Sequence, residues 1–483
     1  MPSGSNRLPS IDHNVREQIE KSIWKVGAAG TAMALAIAIA VGWLGIHSRK
    51  TNAPHYRIIP FATVKPVLDA LPKELPPELR EPNESKWKSW AQREDALIHA
   101  RLEQGARDSM INLLLFGDSF TNQPRAQALL EPNDPLLQLR LNDFVRALRD
   151  PHGNERLIFI RNLLQRHGLR IDSASGDQQA KAFILQNRQR VQQEQIVFGW
   201  RIVEATRDAR LGLSERSGVF RDRGISLDTS VLSSFGIDAA LGDMKSRGVL
   251  RENSITRVAV IGAGLDFTDK ASGYDFYPLQ ILQPFAVYDS LVRLGLAQDG
   301  KIDIVAFDIS PEVLDHLRRA RERASGGEEY VVQLPRESRP WVPDAIEYWR
   351  SFGSAIGEPA TPIQPPPALG DLETRAVRIR PDVVMSCQPV DLNFVLEQLG
   401  SLSKERFDLV VATNIFVYYD SLEQALALQN ISTFLEPGGF LLTNDRLPPS
   451  VPEIPMRAVD YTSIRYGQEG EFEHDNIYWW QRQ

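Results

Sequence analysis

Arg257-Val-Ala-Val-Ile-Gly-Ala-Gly264 decides the fold. Its apolar run, Val258–Ile261, has the length of a strand buried on both faces. The two glycines that follow let the backbone turn tightly and come close to a ligand. A pyrophosphate-binding fingerprint would need a third glycine three residues after Gly264. Phe267 stands there instead, so that version of the motif is incomplete.

Three more runs of the same kind follow: Lys301-Ile-Asp-Ile-Val-Ala-Phe-Asp308, Phe407-Asp-Leu-Val-Val-Ala-Thr-Asn414 and Gly438-Gly-Phe-Leu-Leu-Thr-Asn-Asp445. Helical patterns lie between them, at Leu279–Leu296 and Pro311–Arg323. Strands alternating with helices predict a doubly wound, mostly parallel α/β sheet. Asp308 closes the second run, where an acidic side chain can accept hydrogen bonds from both hydroxyls of a ribose. Its other reading is the N-cap of the helix near Pro311, a place Ser310 could also fill. The 44 residues from Gly264 to Asp308 exceed the usual spacing of about 20. A loop or extra helix around Asp266–Pro284 must fill the difference. Residues 324–372 interrupt the alternation with a helix candidate at Pro343–Phe352 and the proline-rich PATPIQPPP, and read as an insertion beside the sheet.

From about Asn253 to Gln483 the chain resembles the class I S-adenosylmethionine-dependent methyltransferases. VAVIGAGLD resembles that family's first motif, AFDIS its acidic second, FDLVVATN its fourth and LEPGGFLL the turn before its fifth strand. VDYTSIRYGQ and NIYWWQRQ would supply the closing antiparallel hairpin. FDLVVATNIFVYYD with LEPGG also resembles chemotaxis receptor methyltransferases, and GAGLD resembles leucine carboxyl methyltransferases. Both act on carboxylates, which tilts the expected acceptor toward one. The resemblance implies S-adenosylmethionine as cofactor, held by Gly262, Ala263 and Gly264 under its methionine part and by Asp308 with Ile309 at the ribose. Asp391, after a strand candidate at Ala376–Met385, matches the position that contacts the adenine amine. It could equally cap a helix at Asn393–Leu399. Asn414 and Tyr419, just past the fourth strand, are the catalytic candidates. Asn414 could orient the acceptor or the cofactor amino group, and both residues could also be ordinary packing.

Upstream, residues 85–250 read as mainly helical, with apolar periodicity at Glu155–Ile171 and Ala180–Arg207. They form a candidate substrate-side cap. Phe220–Ala240 lies just before the first strand of the sheet and is a lid candidate by position. Residues 47–84 are proline-rich and predict a semi-rigid linker. Residues 26–46 form an uncharged run of 21 residues, VGAAGTAMALAIAIAVGWLGI. That is long enough to cross a bilayer as one helix, leaving residues 1–25 as a tail. Basic residues flank the span evenly, so charge does not set its orientation. The cytosolic cofactor places the catalytic domain, 251–483, on the cytoplasmic side of the membrane.

Composition narrows the class. A net charge of −7 gives no overall drive toward nucleic acid. One cysteine, Cys387, excludes an internal disulfide and a cysteine metal cage, and the eight histidines show no metal-ligand spacing. The partners expected are a small-molecule or protein methyl acceptor and the lipid bilayer. Three rival readings remain. A nicotinamide or flavin oxidoreductase shares VAVIGAG. An SGNH-type esterase would use Ser119 of Leu113-Leu-Leu-Phe-Gly-Asp-Ser119 as nucleophile, but the sequence has no Asp-x-x-His pair to serve it. A degenerate, non-catalytic membrane scaffold is the third.

Overall fold

The computed structural model describes residues 57–483, apart from 127–130, 208–223, 227–228, 230, 268–273, 337–339, 371, 400–405, 446, 448–450, 452 and 468–473. The tail and the span expected at 26–46 lie outside these. Among the described residues no helix is long and apolar enough to cross a membrane.

The chain opens with β1 (Arg57–Ile58) and α1 (Phe61–Ala70). Val64, Val67 and Leu68 of α1 are fully buried, and so is Leu79 beyond it. The stretch expected to be a spacer is therefore part of the core from Ile59 onward. Of its prolines, Pro66 lies inside α1, while Pro60 precedes that helix and Pro72 falls in the turn after it, and the apolar residues between them have a face to bury.

Four helices follow: α2 (Glu84–Phe116), α3 (Pro135–Arg149), α4 (Glu155–Arg166) and α5 (Ala174–Arg207). Asn83, Asp134 and Asn154 cap the first three, each accepting a backbone N–H of the first turn. Then comes α6 (Val231–Ser246), which occupies part of the expected lid and buries Phe235, Ile237 and Leu241.

The sheet begins with β2 (Arg257–Ile261). After it come α7 (Gln283–Arg293), β3 (Asp303–Asp308) and α8 (Pro311–Ser325). The insertion holds β4 (Tyr330–Arg336), α9 (Pro343–Ser351), β5 (Gly357–Ala360) and β6 (Glu373–Ile379). The chain ends with α10 (Pro381–Ser386), β7 (Cys387–Asp391), β8 (Glu397–Gln398), β9 (Phe407–Val411), α11 (Ser421–Phe434), β10 (Leu435–Thr443), β11 (Met456–Arg465) and β12 (His474–Arg482).

Seven strands form the main sheet, in the order β11-β12-β10-β9-β2-β3-β7. The central pairs β9/β2, β2/β3 and β3/β7 are parallel, as is β10/β9, and β12 runs antiparallel between β10 and β11. This is the Rossmann-like sheet with the closing hairpin. The chain leaves β2 to one side for β3 and β7, then crosses back to lay β9 on the other. That reversal opens a crevice at the carboxyl ends of β2 and β9.

Two expectations fail. The strand sought at Ala376–Met385 is divided. Its first part is β6, in a separate three-stranded antiparallel sheet with β4 and β5. Its second part is α10, which Pro381 starts from the N1 position, where its missing N–H costs nothing. The strand leading to Asp391 is β7, and the insertion therefore runs on past residue 372. Nor is there a helix at Asn393–Leu399. That stretch is a turn leading into β8, which pairs antiparallel with β1, so Asp391 has no helix to cap there.

Candidate functional site

A cleft opens at the carboxyl edge of β2, β3 and β9, the edge where open α/β sheets bind their ligands. Its floor is the glycine turn. Gly262 and Gly264 have φ of 73° and 63°, a left-handed conformation that favours glycine. The Gly262 N–H donates to the Phe307 carbonyl at 2.8 Å. A Cβ on Gly262 would sit 2.2 Å from the Ile415 side chain, so Ile415 closes down on the turn itself. Ala263 between the glycines is fully buried and faces the core.

Asp308 stands beside the turn. Its carboxylate accepts from the Gly264 N–H at 3.4 Å and from the Ser310 N–H at 2.8 Å. Ser310, not Asp308, caps α8. Burial pushes the Asp308 carboxyl up to about 6; the backbone N–H groups of Ser310, Gly264 and Ile309 pull it down, and the charge of Asp391 raises it further. Asp391 is its register partner on β7. Ile309 lines the cleft; Asp391, beside Asp308 on the neighbouring strand, is not among the lining residues.

The far wall comes from the segment after β9. Asn414, at φ 60°, occupies the left-handed region that asparagine tolerates better than most residues. Thr413, next to it, is buried and accepts from the Gln283 amide at 2.9 Å, which ties β9 to the start of α7. Tyr419 is buried, and that burial raises its phenol well above its ordinary range. The Arg101 guanidinium lies 5.8 Å from its ring centroid.

The roof belongs to the helical region. Arg101 of α2 donates to the Tyr418 carbonyl, and the Ser226 N–H donates to the Tyr418 hydroxyl at 3.3 Å. Gly105 makes this possible. A Cβ there would fall 1.7 Å from the Ile225 carbonyl, and one on Gly224 would strike the Gly105 backbone. The two glycines let residues 224–226 lie directly on α2. Ile225, Ser226 and Thr229, inside the expected lid, line the cleft with Leu102.

The cleft thus gathers Gly262, Gly264, Asp308, Ile309, Asn414 and Tyr419, and leaves out Ala263 and Asp391. Sequence reading anticipated a roof from residues 85–250 and the lid candidate Phe220–Ala240, but missed Thr413, Gln283, Ile415 and the contact of residues 224–226 with α2. For that contact a signal existed: Gly105 inside a helical pattern, a glycine that there carries a packing reason.

The loop between β2 and α7 explains the long spacing. Arg156, fully buried on α4, donates to the Phe267 and Tyr277 carbonyls and, at 2.9 Å, to that of Asp266. Asp266 accepts from Tyr277 and Gln280, and Phe267 packs 5.0 Å from the Phe159 ring. The loop is a structural plug. Among the described residues the next helix after the turn is α7, starting at Gln283, and Leu265–Phe267 are not helical, so no helix N-terminus directly follows the glycine turn to take a pyrophosphate. Ser119, the esterase candidate, donates its hydroxyl to Asp275 and accepts from the Asn154 amide at 2.9 Å. Neither partner is a histidine, so the serine–histidine pair that such esterases use is not present at Ser119.

No protein-family model and no curated protein matches the chain. Several solved structures of S-adenosylmethionine-dependent methyltransferases align with it. The N-methyltransferase NodS from Bradyrhizobium japonicum is 10% identical over 52% of this chain and 96% of its own, with a TM-score of 0.25. The glycopeptide N-methyltransferase MtfA, solved with S-adenosyl-L-methionine, is 11% identical over 53% and 87%, with a TM-score of 0.25. An O-methyltransferase family protein from Burkholderia thailandensis is 10% identical over 60% and 71%, with a TM-score of 0.24.

Proposed function

We propose that the chain is a methyltransferase that takes its methyl group from S-adenosylmethionine, anchored to a membrane by residues 26–46 with its catalytic domain in the cytoplasm. The observation that carries this reading is the placement of Asp308. Its carboxylate sits beside the left-handed glycine turn, at the crevice where the strand order reverses. A sugar diol could donate to that carboxylate while the chain that extends from the sugar crosses Gly262 and Gly264.

The fit favours this cofactor over a dinucleotide. Phe267 and the delayed start of α7 remove the pyrophosphate cradle, while the acidic strand end and the glycine turn remain. The cofactor would supply a methyl group on a positive sulfur. The protein's residues would hold it, align the acceptor and limit water. Asp308 would grip the ribose, the turn would admit the cofactor backbone, and Leu102, Ile225 and Tyr419 would cover the reacting end.

An acceptor that arrives ionised suits the cleft. Tyr419 is held as a neutral phenol, and Asp308 is committed to the sugar, so neither serves as a general base. A carboxylate needs none, which agrees with the motifs shared with carboxylate methyltransferases. Calorimetric titration with S-adenosylhomocysteine, the demethylated product, tests the reading. Saturable binding that Asp308→Ala abolishes is expected, and absence of binding to folded protein would overturn it.

A further inference from the structure

The polarity of the Asn414 side chain follows from the bonds around it. The backbone N–H of Asn414 donates to the side-chain oxygen of Asn444 at 2.7 Å. A backbone N–H can only donate, so the Asn444 oxygen must face it. That turns the Asn444 NH₂ toward the Asn414 side chain, at 2.6 Å, and the atom it meets there must be the Asn414 oxygen. Asn444 in turn donates to Asp475 at 3.4 Å, and the Tyr466 hydroxyl reaches the same carboxylate oxygen at 3.5 Å. The assignment therefore does not depend on a free choice of amide flip. Asn414 has its oxygen turned back to the protein and its NH₂ left for the cleft, which it lines.

That NH₂ sits at β9, two strands from Asp308 on β3, with the glycine turn of β2 between. Strands lie about 4.8 Å apart, so the two groups stand on the order of 10 Å from each other across the crevice. A ligand held by its sugar at Asp308 brings its opposite end to Asn414. Resting on the cofactor reading above, we propose that Asn414 donates to the α-carboxylate of the cofactor's amino-acid tail, not to its amino group, and that Asn444 is the positioning residue that fixes this polarity.

Two ligands separate the possibilities by calorimetry: S-adenosylhomocysteine, and its decarboxylated analogue, which keeps the amine and lacks the carboxylate. Asn414→Asp replaces the donor with an acceptor of the same shape. The expected result is a loss of roughly tenfold or more for S-adenosylhomocysteine and little change for the analogue. Asn444→Ala should produce a smaller loss with the same preference between ligands, a pattern that general loosening of the site would not give. If Asn414→Asp binds S-adenosylhomocysteine as well as or better than the wild type, the oxygen faces the amine and the proposal is wrong. If it changes both ligands equally, or neither, Asn414 does not read the carboxylate and the proposal is again wrong. If wild-type protein binds neither ligand, it is the cofactor reading that has failed.

Discussion

Cofactor affinity should fall in mild acid through one carboxyl group. Asp308 must be ionised to accept from two ribose hydroxyls, and its pKa in the unliganded protein lies near 6. About 90% of it is then ionised at pH 7 and about 10% at pH 5. A ligand that binds only the ionised form loses affinity by the ratio of those fractions, roughly tenfold. S-adenosylhomocysteine does not change its own charge over that window, since its carboxyl titrates below and its amine above it. For stability the sign is opposite. The folded-state pKa is raised above that of the unfolded chain, so this group's contribution is fully present in acid and is lost as pH rises through about 6. Weaker binding at pH 5 would therefore not reflect unfolding driven by Asp308. Calorimetry at pH 7 and pH 5, on wild type and Asp308→Asn, measures this. The variant should bind roughly 10–100-fold more weakly at pH 7, from the lost charge on the hydrogen bonds, and should be nearly flat with pH. A wild-type affinity that does not move, or an equal acid loss in Asp308→Asn, would show that Asp308 does not hold the ribose as a carboxylate.

Gly262→Ala should cost roughly 2–4 kcal/mol of folding stability in denaturant melts, from the left-handed φ and the collision with Ile415. Adding Ile415→Ala should recover the collision part only. Ser119→Ala should lower stability by about 1 kcal/mol through Asp275 and Asn154, and a fluorophosphonate probe should leave wild-type Ser119 unlabelled. The full chain should stay with membranes through alkaline carbonate extraction, and arginine at Leu35 and Ile39 should release it.

What was legible in the sequence follows from range. Short runs such as Val258–Ile261 and Leu409–Val411 are buried on both faces, so their composition declares a parallel sheet before any contact is known. Asp308 was readable because its place at a strand end is local. The long interval before it was visible as a number, while its cause, Arg156 reaching three carbonyls from a distant helix, was not. The Asn444 contact to Asn414 joins the ends of two strands 30 residues apart, and no local pattern encodes such a pair. Ala376–Met385 misled because its β-branched residues suit a strand, although Pro381 divides it between two elements. Pro60 to Pro77 misled in the other direction: proline frequency suggested a spacer, but Val64, Val67 and Leu68 recur at helical spacing and are buried.

One titration probes the core of the account: S-adenosylhomocysteine and, separately, NADH added to the purified full chain, with heat recorded for each. Saturable one-to-one binding of S-adenosylhomocysteine, lost in Asp308→Ala, is expected, with no binding of NADH. Binding of NADH alone, or S-adenosylhomocysteine binding that Asp308→Ala leaves intact, would contradict it.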